Sequence, residues 1–357
     1  MKIAFGGGGT GGHIVPALAI AECVKQLQHE AFFIGNHNSI EERLVRSANY
    51  PFRVIKVQKL YRSFSLSNLL FPFYLIGSVV SSCRILKQEK PDAVFVTGGF
   101  VAGPVALAAI ILHIPVFCHE SNSYPGLVTR YLAKYFKRIY ISFESSRKYL
   151  PQGEITNFGI PLKCASPTPF SVDAIGLVSD KPVILVSGGS QGSLAINNVI
   201  EKIIPDLLNK GYQLIWQTGK TSYSRFADKF KKVPGLFMFD FSPDYVNMLC
   251  IAKLAITRAG AMTIAELEEN KLASILIPLP SAAENHQYYN ALEQQEKGVA
   301  LLMEQSQLNH EALLEAIDTV IGHLSEYKGK LAGLPQNQAT QKITNDLLMQ
   351  IQQSRRN

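Results

Sequence analysis

Three glycine-rich runs and one histidine–carboxylate segment hold most of the groups in this chain that could do chemistry. The first run is Gly6-Gly7-Gly8-Gly9-Thr10-Gly11-Gly12-His13. It follows a short apolar stretch and precedes a helical pattern. Glycine lets the main chain approach a ligand closely, and a helix start offers unpaired N–H groups and a partial positive charge. Pyrophosphate suits such a place. No Gly-Lys-Ser/Thr closes the run, so it is not a Walker loop. The second run, Thr97-Gly98-Gly99-Phe100-Val101-Ala102-Gly103-Pro104, also follows an apolar stretch. The third, Ser187-Gly188-Gly189-Ser190-Gln191-Gly192-Ser193, adds hydroxyls fitted to phosphate oxygens. Between the second and third lies His119-Glu120-Ser121-Asn122.

Positioning these loops requires strands and helices in alternation. Apolar runs at 3–5, 31–34, 93–96, 116–118 and 139–141 read as strands buried on both faces. Helical periodicity fills 14–28 and 66–88. That is the pattern of a parallel sheet wrapped by helices. Segment 161–181, with Pro161, Pro167 and Pro169, breaks the rhythm and reads as a linker. The alternation then restarts with a strand at 183–186, the third loop and a helix at 194–208. Strands at 214–216, 254–256 and 274–277 follow. The expectation is an α/β protein of two Rossmann-like, doubly wound domains, 1–160 and 161–335. The tail reads as a terminal helix over 337–353, with sparse apolar residues and no evident docking site. Segment 336–357 is a candidate to return to the first domain. Open α/β sheets bind ligands beyond the carboxyl ends of their strands, so two such domains would face a shared cleft.

Bulk properties agree with this. A chain of 357 residues, 47% hydrophobic and 18% charged, is globular and long enough for two cores. A net charge of +7 points to an anionic partner: phosphate, nucleic acid or an anionic membrane. No nucleic-acid module pattern is present. The five cysteines form no close pair, which fits a reducing cytoplasm. The apolar stretches near 69–80 and 101–118 are short or broken by Pro and Gly, so neither reads as a membrane span.

In these residues the chain resembles the MurG family, the UDP-N-acetylglucosamine:lipid I N-acetylglucosaminyltransferases of bacterial peptidoglycan synthesis. The resemblance rests on Gly8–His13 with Pro16, Thr97–Phe100, His119–Asn122, Gly188–Gly192, Arg258-Ala259-Gly260-Ala261-Met262-Thr263-Ile264-Ala265-Glu266, and His286-Gln287 before Asn290-Ala291. It implies the GT-B fold and inverting transfer of N-acetylglucosamine from UDP to the 4-hydroxyl of the lipid-linked muramyl sugar. It implies a donor-binding second domain, a first domain facing acceptor and membrane, and no metal or cofactor. By the same resemblance, Ser190 contacts the donor diphosphate and Glu266 the ribose hydroxyls. Ala261, Met262, Thr263, Ile264 and Ala265 line the nucleotide, Ser242 meets uracil through its backbone, and Gln287 reads the donor sugar. Thr10, Gly11, Gly12 and Asn122 close on that sugar. Lys163 stands where an arginine is common, keeping a cation without the planar fork. Ala259 replaces a common serine.

Inverting transfer needs a base at the acceptor hydroxyl. A helix start disfavours the histidine cation, so His13 suits that role, or positions the acceptor. Glu120 is the competing carboxylate. The third loop with Lys163 would meet the leaving-group charge in place of a metal. The first loop then falls to the acceptor's pyrophosphate and the donor sugar. The stretch from Lys59 to Ile76, followed by Arg84 and Lys87, flanks aromatic and apolar residues with cations, as interfacial attachment requires. Its expected place is therefore peripheral, on the cytoplasmic face of the inner membrane. Two other readings stand: a GT-B transferase for a different lipid or natural-product acceptor, and a Rossmann oxidoreductase or nucleotide-binding module. Against the latter, Gly35-Asn36-His37-Asn38 occupies the place of a ribose-binding acid.

Overall fold

The computed structural model describes residues 1–58, 70–151, 153–163, 170–189, 191–230 and 232–356, without the side chain of 356. The chain forms two compact units, Met1–Cys164 with Asn337–Asn357, and Ala165–Gln336.

The first unit holds β1 (Lys2–Gly6), β2 (Glu30–Asn36), β3 (Phe52–Ile55), β4 (Ala93–Val96), β5 (Val116–Glu120), β6 (Arg138–Ile141) and β7 (Ile155–Asn157). They pair in the order β3-β2-β1-β4-β5-β6-β7, all parallel. Central strands such as Ala93-Val94-Phe95-Val96 are buried at every residue. Helices cover both faces, which is why these strands read as unbroken apolar runs. The chain winds outward from β1 to β3, returns to β4 beside β1, and winds the other way. The loops after β1 and β4 therefore part at the topological switch point, where such sheets take their ligands.

The tail does dock. Helix Ala339–Arg356 buries Ala339, Ile343, Leu347 and Ile351 with Ile3, Phe5 and Ile14 in one core of the first unit. A four-residue spacing puts these side chains on one helix face. Polar contacts fix its start. The Asn337 side chain donates to the Ile160 carbonyl at 3.0 Å and Thr340 Oγ1 to the Leu162 carbonyl at 2.6 Å. The buried Tyr140 hydroxyl donates to Asp346 at 2.8 Å.

The second unit holds β8 (Val183–Ser187), β9 (Gln213–Gln217), β10 (Leu236–Phe239), β11 (Leu254–Thr257), β12 (Ser274–Leu276) and β13 (Ala300–Leu302). Their order, β10-β9-β8-β11-β12-β13, repeats the winding of the first unit, again all parallel. Its core centres on Trp216, fully buried against Phe226 and Phe230. Among the described residues, no helix is long and apolar enough to cross a membrane.

Candidate active site

In the first unit, β1 ends at Gly6 and turns through Gly7–Thr10 into helix Gly11–Gln26. Its neighbour β4 leads through Thr97–Val101 into helix Ala102–Ile111. The two glycine loops interlock. A Cβ on Gly7 would stand 2.0 Å from Thr97 Oγ1, and one on Gly99 2.0 Å from the Gly8 carbonyl. Gly98 and Gly99 also hold φ at +94° and +78°, a region that glycine enters freely.

The interlock seats His13. A Cβ on Gly98 or Gly99 would stand 3.1 Å from its Cδ2 or Nδ1, so a side chain at either position would crowd the ring. His13 Nδ1 lies 3.2 Å from the Gly8 carbonyl and 3.1 Å from Thr10 Oγ1. Thr10 and Gly12 are exposed, and a Cβ on Gly11 would meet open space. Beneath this loop sits Glu41, which is 0% exposed. Its carboxylate accepts the Gly9 N–H at 3.1 Å and the Asn36 N–H at 3.3 Å.

Next along the sheet, β5 carries His119 and Glu120, both buried. His119 Nε2 lies 3.1 Å from the Gly159 carbonyl and 3.0 Å from Ser142 Oγ. Burial, with the nearby His13, lowers its pKa to about 4, so its imidazole is neutral at physiological pH. Glu120 accepts four hydrogen bonds: from Asn122 N–H at 3.1 Å, Asn122 Nδ2 at 3.4 Å, Gly126 N–H at 3.0 Å and Thr129 Oγ1 at 2.7 Å. Burial pushes its pKa up while those donors pull it back. Its carboxylate thus ties the loop containing Asn122 to the helix that follows. Lys163, beyond β7, is exposed.

In the second unit, β8 leads through the third glycine loop into helix Leu194–Asn209. Gly192, at φ +80°, packs against the Thr218 carbonyl, which a Cβ would approach to 2.0 Å. Ser193 caps the helix, its hydroxyl accepting the Ile196 N–H at 3.4 Å. Ser190 lies outside the described residues. Beside this loop, β11 runs into Arg258 and helix Ala261–Glu269.

Arg258 is 8% exposed and donates to Ser193 Oγ and Gln305 Oε1, each at 2.6 Å, and to the carbonyls of Ile277 at 3.1 Å and Pro278 at 2.9 Å. All four acceptors are neutral. Burial lowers its pKa to about 10, which leaves it cationic at neutral pH. Among the described residues, this guanidinium hydrogen-bonds to neutral oxygens alone, and it lies against the cap of the third loop.

Ala261, Ile264 and Ala265 are buried in the helix's inner face, whereas Met262, Thr263 and Glu266 are partly exposed. Burial raises the Glu266 carboxyl to a pKa of about 7. Gln287, on helix His286–Glu296, accepts the Leu279 N–H at 2.9 Å. Ser242 follows β10, its hydroxyl accepting the Asp244 N–H at 3.1 Å. The described candidates of this unit thus lie at the carboxyl ends of its strands or on the helices those strands lead into.

Two buried charges escaped sequence reasoning as site residues: Glu41 under the first loop and Arg258 under the third. Gly35–Asn38 at the end of β2 offer no acid, and Glu41 lies three residues further along. Arg258 was visible only as part of a motif. The neutral character of its partners depends on Gln305 and Pro278, far along the chain.

Two doubly wound sheets with the same winding, the first carrying one further edge strand, each with a glycine loop at its switch point, make the GT-B fold. The chain belongs to glycosyltransferase family 28: the family's N-terminal domain matches residues 3–141 and its C-terminal domain residues 183–344. A Listeria monocytogenes relative is 34% identical over 337 residues, covering 92% of this chain and 93% of that protein. It is named UDP-N-acetylglucosamine–N-acetylmuramyl-(pentapeptide) pyrophosphoryl-undecaprenol N-acetylglucosamine transferase. The crystal structure of Acinetobacter baumannii MurG superposes with a TM-score of 0.76 at 28% identity, covering 96% of this chain and 98% of that one. The glycosyltransferase of kitacinnamycin, at 14% identity and a TM-score of 0.78 over 98% of this chain and 99% of that one, shares the fold.

Proposed function

We propose that this protein transfers N-acetylglucosamine from UDP-GlcNAc to the 4-hydroxyl of the muramyl sugar of lipid I, with inversion, giving lipid II and UDP. The observation that carries the donor assignment is the contrast between the two loops. The third has a buried cation at its cap, Arg258, and the first has a buried anion beneath it, Glu41. A diphosphate is favoured by the field of the former and opposed by that of the latter. The donor diphosphate is assigned to the third loop with Ser190, and Lys163 supplies an exposed cation. Glu266 accepts hydrogen bonds from the ribose hydroxyls, Gln287 addresses the donor sugar, and the backbone at Ser242 and residues 261–265 flank the base.

At the acceptor, His13 takes the proton from the attacking 4-hydroxyl. The new bond forms at the anomeric carbon as the sugar–phosphate bond breaks, and the electron pair leaves on UDP. Glu120, with both oxygens occupied by four donors, holds the Asn122 loop and serves as a positioning residue. Thr10 and Gly12 are exposed beside His13, with Gly11 partly exposed between them.

The acceptor's lipid requires a membrane contact. Helix Phe71–Glu89 exposes Phe73 (72%), Ile76 (61%) and Val80 (43%) at helical spacing, while its serines Ser78 and Ser82 are buried. Arg84 and Lys87 are exposed near its end. An apolar stripe facing water, with cations beside it, supports peripheral docking on anionic lipid. Residues 59–69, the first part of that expected stretch, lie outside the described residues.

Turnover of His13→Ala and Glu120→Ala with UDP-GlcNAc and a lipid I analogue tests the assignment of the base. Loss of about a hundredfold or more in kcat is expected for His13→Ala. Near-normal turnover of His13→Ala beside an inactive Glu120→Ala would give the role to the carboxylate.

A further inference from the structure

We propose that Glu41 acts on His13 through the peptide group joining Gly8 and Gly9, and that this carboxylate–peptide–imidazole chain sets the histidine's tautomer and orientation. The chain can be followed atom by atom. Glu41 Oε2 accepts the Gly9 N–H at 3.1 Å. The carbonyl of that same peptide group, Gly8 C=O, lies 3.2 Å from His13 Nδ1. A carbonyl only accepts, so Nδ1 carries the proton and Nε2 is the basic nitrogen. Thr10 Oγ1, 3.1 Å from Nδ1, completes the same arrangement, because a hydroxyl can share that N–H as acceptor.

The peptide is a polarisable link. A carboxylate on its N–H side moves electron density toward its carbonyl oxygen, and successive hydrogen bonds strengthen one another in this way. The link works only because Glu41 is a buried carboxylate. It is 0% exposed and fixed by a second bond from the Asn36 N–H at 3.3 Å. The glycines are part of the device. A Cβ on Gly8 would come within 2.6 Å of the Glu41 carboxyl carbon, and a Cβ on Gly99 within 2.0 Å of the Gly8 carbonyl. Any side chain at either position would push the peptide off one of its two partners.

Glu41 is thus a positioning residue that plays, through a backbone amide, the part a carboxylate plays when bonded directly to a catalytic histidine. As the acceptor proton arrives on Nε2, the negative charge of Glu41 stabilises the resulting imidazolium. The same charge withdraws the Gly9 amide from any anion at this loop. The first glycine loop is therefore built to hold a base rather than to bind phosphate.

This inference rests on His13 as the base, and the two are tested separately. In the wild-type protein, nitrogen-15 spectra of His13 should show a protonated Nδ1 and an unprotonated Nε2. An Nε2–H tautomer would overturn the inference whatever the role of His13 in turnover. In Glu41→Gln, whose amide presents a donor to N–H groups that need an acceptor, kcat should fall about tenfold. KM for UDP-GlcNAc should stay within about twofold, and the His13 signals should move toward a tautomer mixture. Glu41→Asp should recover part of kcat. Wild-type kcat and tautomer in Glu41→Gln would refute the linkage. So would a fall in kcat that tracks only the fraction of folded protein.

Discussion

Donor binding should release a proton from Glu266. Burial holds this carboxyl at a pKa of about 7 against its ordinary 4.5. In the account above, the ribose hydroxyls donate to its ionised form and return it toward that ordinary value. The free protein must then lose the proton before it binds well. At about pH 6 roughly ten free molecules are protonated for each ionised one, and at about pH 8 the ratio is reversed. UDP-GlcNAc affinity should therefore rise about tenfold over that range, ~1.4 kcal/mol. The donor's diphosphate is a diester without a titration there, so the proton comes from the protein. Calorimetry in buffers of different ionisation enthalpy measures both affinity and proton release. Glu266→Gln should bind more weakly and with no such slope. A flat pH profile in the wild type, or an unchanged slope in Glu266→Gln, refutes the reasoning. The sign for stability runs the other way. With its folded pKa raised, Glu266 contributes stability below about pH 4.5 that is lost as pH rises through about 7. The ligand-free Glu266→Gln protein should accordingly melt higher than wild type at about pH 8.

Other consequences follow from the same contacts. Arg258→Met removes the buried cation and leaves Ser193, Gln305 and two carbonyls without their donor; KM for UDP-GlcNAc should rise at least tenfold and Tm should fall, whereas unchanged donor kinetics would remove Arg258 from the site. Leu347→Ala, in the tail helix, should cost about 2–4 kcal/mol in denaturant unfolding because its side chain is fully buried; a cost under about 1 kcal/mol would mean that the tail is not part of the first unit's core. Phe73→Ser with Ile76→Ser should reduce sedimentation with vesicles of anionic lipid while leaving UDP-GlcNAc binding intact, and unchanged sedimentation would place the membrane contact elsewhere.

Much of this architecture could be read from residues alone, for physical reasons. Strands buried on both faces, such as Ala93–Val96, are apolar throughout and announce themselves. Edge strands do not. Phe52-Arg53-Val54-Ile55 buries only its ends, and Ile155-Thr156-Asn157 is nowhere fully buried, so neither leaves a run to detect. The tail helix was legible as a helix, yet its seat beside Ile3 and Phe5 joins residues more than three hundred positions apart. The glycine loops were legible because close approach and positive φ demand glycine. What lay beneath them was not. Glu41 resembles any acid in the first turn of a helix, and only the fold aims it at the Gly9 amide. Likewise, the four donors that occupy Glu120 include a hydroxyl nine residues away, contributed by the next helix.

The most direct test of the central claim is product analysis with the purified protein, radiolabelled UDP-GlcNAc and a lipid I analogue. The account predicts one labelled product, with N-acetylglucosamine β-linked to the muramyl 4-hydroxyl, and one UDP released per sugar transferred. Transfer to diacylglycerol, or consumption of UDP-GlcNAc with no sugar on lipid I, would contradict it.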